Sequence, residues 1–116
     1  MSEAVSQITT HVLDVSIGRP AAGVSVMLEI EKGGAWKELS RGATDADGRL
    51  RHLLAPGSLT QGTYRLTFDT AAYFAGRKTQ TIYPHVTIAF DVRDAAEHYH
   101  IPLLVSPFGY STYRGS

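Results

Sequence analysis

Apolar and polar residues alternate with a period of two along three stretches of the chain. Val24, Val26, Leu28 and Ile30 alternate with Ser25, Met27, Glu29 and Glu31. Tyr64, Leu66 and Phe68 alternate with Arg65, Thr67 and Asp69, and Val86, Ile88, Phe90 and Val92 with Thr87, Ala89, Asp91 and Arg93. Each reads as a strand with one buried and one wet face. Ile8 to Val15, Trp36 to Ala43, Ile101 to Ser106 and Gly109 to Arg114 are β-branched or aromatic and bounded by turn residues, which adds four further strands. Breakers fall between them: Gly18, Pro20 and Gly23, the pair Gly33-Gly34, Asp45-Ala46-Asp47-Gly48, Pro56-Gly57, and Pro107 with Gly109. Only Asp69 to Arg77 favours a helix, through Ala71, Ala72, Phe74 and Ala75, with Gly76 at its end. The expected architecture is all-β, a two-sheet sandwich of seven to eight strands with one short helix. Met1 to Gln7 reads as a frayed lead-in.

The 116 residues suit one domain, residues 1–116. Such a chain hides roughly two-thirds of its unfolded surface on folding. Eleven basic and eleven acidic residues balance to zero, which argues against a phosphate-binding surface and hence against nucleic acid. No apolar run approaches the ~20 residues of a membrane span, and the first ten residues do not resemble a signal peptide. Cysteine is absent, which removes a disulfide scaffold, thiol catalysis and Cys-ligated zinc. A cytoplasmic protein without membrane partners is expected.

Polar residues that interrupt the pattern are the candidates for chemistry. His98 and His100 share a face of an extended chain, opposite in parity to Ile101, Leu103 and Val105. They are either two solvated surface histidines or an acid/base or metal site. His11 lies inside a strand, where an imidazole needs a hydrogen-bond partner; a satisfied core or edge histidine is the simpler reading. His52 and His85 read as surface. Asp45-Ala46-Asp47-Gly48 starts like a calcium loop but continues with Arg49, Arg51 and His52 instead of further acidic ligands, so it reads as a plain turn. Arg49 is then either surface charge or an anion-reading guanidinium at a strand start. The chain closes on Tyr113-Arg114-Gly115-Ser116 rather than on a purely polar tail.

Several of these segments resemble a known family. Thr10-His11-Val12-Leu13-Asp14 followed by Gly18-Arg19-Pro20-Ala21 resembles the N-terminal signature of the transthyretin superfamily, and Thr44-Asp45-Ala46-Asp47-Gly48-Arg49 resembles its internal motif. His98-Tyr99-His100-Ile101-Pro102-Leu103-Leu104, Ser106-Pro107 and the terminal Tyr113-Arg114-Gly115-Ser116 resemble the branch of transthyretin-related proteins, or 5-hydroxyisourate hydrolases. The resemblance implies a homotetramer with sites in clefts at a subunit interface, paired along a central channel. It implies hydrolytic ring opening of 5-hydroxyisourate, a step of urate breakdown, with no cofactor and no metal. By matching motif positions it implies His11, Arg49, His100 and Ser116 as catalytic residues, and His98, Tyr113, Arg114 and Gly115 as parts of the pocket wall. The chemistry would be water deprotonated and oriented by His11, His100 and Ser116, with Arg49 on the urea-like edge of the substrate; which histidine is the base is left open. Two rival readings are a small-ligand carrier using the same channel and a metal-dependent enzyme using His11, His98 and His100.

Overall fold

A computed structural model describes residues 5–116. The alternating stretches form strands in two sheets. The first sheet is built around β1 (Ile8–Asp14). On one side β1 pairs in parallel with β8 (Tyr99–His100) and β9 (Leu103–Ser106), and β9 continues to β10 (Gly109–Thr112). On the other side it pairs antiparallel with β2 (Arg19–Pro20) and β5 (Arg49–Leu50). The second sheet is antiparallel in the order β4-β3-β6-β7, made of β4 (Ala35–Ala43), β3 (Ser25–Lys32), β6 (Gly62–Phe68) and β7 (Val86–Val92).

The parity expected from the sequence decides what is buried. Val26, Leu28 and Ile30 of β3, Leu66 and Phe68 of β6, and Val86 and Val92 of β7 join Ile8, Val12, Leu103 and Val105 of the first sheet in one apolar cluster. Glu29 departs from the pattern. It lies on the expected wet face yet is buried, because Arg65 Nε stands 2.7 Å from its Oε1 and the Arg65 guanidinium stacks 4.2 Å from the centre of the Trp36 ring. A buried carboxylate is tolerable when a charged donor satisfies it.

All seven expected strands are present. The three extra ones, β2, β5 and β8, have two residues each, too short for any periodicity to show. The segment expected as Ile101 to Ser106 is shorter, Leu103–Ser106, since Pro102 has no N–H to give to a ladder. The helix α1 spans Thr70–Gly76; Asp69 caps it by accepting from the Ala72 amide, and the left-handed residue after it is Lys78 (φ 55°), not Gly76. Of the expected frayed lead-in, Met1–Ala4 lie outside the described residues, but Ser6 and Gln7 are held. The buried Ser6 hydroxyl accepts from the amides of Ile8 and Leu54, and Gln7 donates to the Ala95 carbonyl. No helix among the described residues is long and apolar enough to cross a membrane.

Candidate active site

The register of the first sheet gathers the sequence candidates. In β1, Thr9 and His11 are two apart and share one face. Thr9 is the parallel partner of His100, and His11 is the antiparallel partner of Arg49. Directly paired residues present their side chains on the same face of a sheet. His100 and Arg49 therefore flank β1 from its two sides, with Thr9 and His11 between them.

The turn before Arg49 is folded by its own carboxylate. Asp45 Oδ1 accepts from the amides of Asp47 and Arg49, each at 2.9 Å, and these bonds hold its carboxyl below the usual range. Gly48 has a φ of 77°, and a Cβ there would stand 2.3 Å from the Val12 carbonyl oxygen. Glycine alone allows the turn to lie against β1, where the Val12 amide donates to the Gly48 carbonyl at 2.7 Å. The turn thus acts as a bracket for Arg49, not as a cation loop. It also aims the Asp47 carbonyl at His11, 2.8 Å from Nε2. A carbonyl only accepts, so Nε2 of His11 is the donor in this contact.

On the other flank, Thr9 Oγ1 stands 2.8 Å from His100 Nδ1 and 3.0 Å from His98 Nε2. The two rings are 6.3 Å apart between centres. His100 is partly buried. Its pKa is held below the ordinary value, first by desolvation and then by the positive field of His98, Arg49 and His11. These causes favour its neutral form.

A cavity of about 230 Å³ opens over this face, with Thr9, Arg49, Arg51, His98, His100 and Ser116 among its lining. Of the residues expected as pocket wall, Arg114 and Gly115 brace the tail. Arg114 donates to Glu97 Oε2 at 3.0 Å and to the His98 carbonyl at 3.1 Å, and its guanidinium lies 4.5 Å from the centre of the Tyr99 ring. Gly115 forms a bridge with His100, its amide donating to the His100 carbonyl at 2.8 Å. Tyr113 is exposed. This latch is what delivers Ser116 to the cavity. His11 sits beside Arg49 rather than in the cavity lining. Thr9 and Arg51 line the cavity as well, and no motif in the sequence marks them. Only the spacing of Thr9, two residues from His11, pointed to a shared face.

No group of three or more histidine and acidic residues among the described residues is arranged to hold a metal ion. A larger groove of about 640 Å³ lies on the outer face of the second sheet. Two of its guanidiniums are already paired, Arg41 with Glu38 and Arg65 with Glu29, so size does not make it the reactive site.

Comparison with known proteins gives the family. Residues 8–115 match the HIUase/Transthyretin family. The chain belongs to the HIUase/transthyretin family. It is 41% identical over 118 residues to the 5-hydroxyisourate hydrolase of Mus musculus, covering 100% of both chains. The solved structure of Klebsiella pneumoniae 5-hydroxyisourate hydrolase superposes with a TM-score of 0.84 at 37% identity, over 98% of this chain and 100% of that one. Sea bream transthyretin, solved in complex with thyroxine, superposes with a TM-score of 0.90 at 29% identity, over 95% of each chain. The hydrolase and the transthyretin thus share this fold.

Proposed function

We propose that this family member is a 5-hydroxyisourate hydrolase, opening the ring to 2-oxo-4-hydroxy-4-carboxy-5-ureidoimidazoline in urate degradation. The observation that carries the reading is an imidazole, His100, and a guanidinium, Arg49, flanking one strand at one cavity. Ring-opening hydrolysis needs a base for water, positive charge for the developing oxyanion, and a proton for the leaving nitrogen. His100, its neutral form favoured by its surroundings, takes the water proton. Ser116 orients the water from the tail. Arg49 binds the planar urea-like edge and stabilises charge on the carbonyl oxygen. The His100 imidazolium returns that proton to the leaving nitrogen, directly or through His11 beside Arg49. Water attacks directly, with no covalent intermediate and no cofactor. Turnover of freshly generated substrate by the purified protein, read against its spontaneous decay, tests the reading.

A carrier is the second reading, favoured by the close superposition on a thyroxine-bound transthyretin. A carrier of apolar ligands has no need of two histidines and an arginine at its site, and the two readings part on turnover.

The arginine has a distinctive signature. Arg49→Lys should lose nearly as much kcat/KM as Arg49→Ala, because an ammonium cannot reproduce the planar two-point fork. A Lys variant with full activity in steady-state kinetics would mean that charge alone suffices there.

The assembly belongs to the same proposal. The strand β10 lies at a sheet edge, and Phe108, Tyr110 and Tyr113 in and beside it are exposed. Unpaired edges and exposed aromatic residues are normally covered. A homotetramer would cover them and enclose the cavity between subunits. Light scattering should report four chains per particle; an active monomer would contradict it. A cytoplasmic location is part of this proposal, in keeping with the absence of cysteine.

A further inference from the structure

Thr9 has no part in the mechanism above, yet its hydroxyl touches both histidines at the cavity. The contrast with its neighbour is informative. Thr10, of opposite parity, donates to the Ile101 carbonyl at 2.6 Å, an ordinary structural bond. The buried Thr9 hydroxyl instead stands between two titratable rings, at 2.8 Å from His100 Nδ1 and 3.0 Å from His98 Nε2.

A hydroxyl has one proton. Placed between two ring nitrogens, it donates to one and accepts from the other, so the tautomers of the two rings are coupled. We infer that Thr9 is a positioning residue for the reaction: it accepts from His100 Nδ1–H and donates to His98 Nε2, which leaves the His100 Nε2 lone pair free for water. This rests on His100 being the base. The opposite direction of the chain, from His98 Nε2–H through Thr9 to His100 Nδ1, would put the His100 proton on Nε2 and leave no lone pair there. The chosen direction also serves the charged state. After His100 takes a proton at Nε2, its Nδ1–H still has an acceptor, and the acceptor's own proton still has one in His98. That support counts, because His98 and His11, Arg49 on β5, and Arg51 beyond it surround His100 with cations or potential cations, and Ser116 lines the same cavity.

The role assigned to His98 differs accordingly. It is the terminal acceptor of a hydrogen-bonded chain as well as part of the cavity lining.

The test combines imidazole 15N spectra of the substrate-free protein with kinetics of two variants. Wild-type spectra should show His100 protonated at Nδ1 and bare at Nε2, and His98 bare at Nε2. Thr9→Val keeps the side-chain shape and removes the hydroxyl. It should release His100 into mixed tautomers and lower kcat about 10- to 100-fold with little change in KM, the usual cost of losing an orienting partner. The acid limb of its kcat/KM profile should move to lower pH, because the imidazolium has lost an acceptor that favoured it. Thr9→Ser, which keeps the hydroxyl, should restore most of the rate and the wild-type limb. Spectra with the opposite tautomers, or a Val variant with wild-type turnover and pH profile, would overturn the inference. The spectra need no substrate, so they decide the tautomers whether or not the hydrolase reading stands.

Discussion

Gly115→Ala should remove most of the turnover from a chain that remains folded. A Cβ on Gly115 would stand 2.6 Å from Cδ2 of His100 and 3.3 Å from its Cγ. The first distance is inside van der Waals contact, and the atom met belongs to the imidazole of the base. The backbone cannot simply retreat, since the Gly115 amide is bonded to the His100 carbonyl and Arg114 is latched to Glu97 and Tyr99. Either the ring swings off Thr9 or the tail lifts and withdraws Ser116. Misplacement of about an ångström costs on the order of 100-fold. Deleting Tyr113 to Ser116 should go further and abolish catalysis, while leaving the sandwich intact. The buried residues of β9 lie upstream, and Thr112 still donates to the Pro102 carbonyl at 2.7 Å. Circular dichroism and thermal melting would check the fold, and steady-state kinetics the rate. A fully active deletion would leave the tail without a catalytic role.

The histidines carry the other large effect. His100→Ala and His11→Ala should each lose about 100-fold or more in kcat, the usual range for removing an acid or base. Neither side chain belongs to the apolar cluster, so melting temperatures should change little. The two losses should differ in kind. His100→Ala removes the base itself. His11→Ala removes a ring that the Asp47 carbonyl fixes beside Arg49, so part of its loss should appear in KM. Near-wild-type turnover in either variant would take that residue out of the mechanism.

How far the sequence could be read follows from the range of its signals. Period-two alternation needs several residues, so β3, β6 and β7 were plain from Val24 to Ile30, Tyr64 to Phe68 and Val86 to Val92. The same limit hid β5 and β8, the two-residue strands that bring Arg49 and His100 to the flanks of β1. The matched motifs named His11, Arg49, His100 and Ser116, and the fold sets the first three around one strand and the fourth over the cavity. What the motifs could not say is which part of the tail faces the cavity and which part ties it down. That depends on Glu97, Tyr99 and the His98 carbonyl, contacts made across 15 or more positions of sequence and invisible to local pattern. Thr9 was hidden for another reason: a threonine in a strand is so ordinary that only its two ring partners mark it out.

The measurement that bears most directly on the central claim is the disappearance of freshly generated 5-hydroxyisourate followed spectrophotometrically. It should be run with the purified protein, with His100→Ala and Arg49→Ala, and with no protein at all. The account predicts that the wild-type chain accelerates decay far beyond the spontaneous rate, and that both variants fall back close to the protein-free trace. A wild-type trace that coincides with spontaneous decay would contradict the account and leave the chain a carrier by fold.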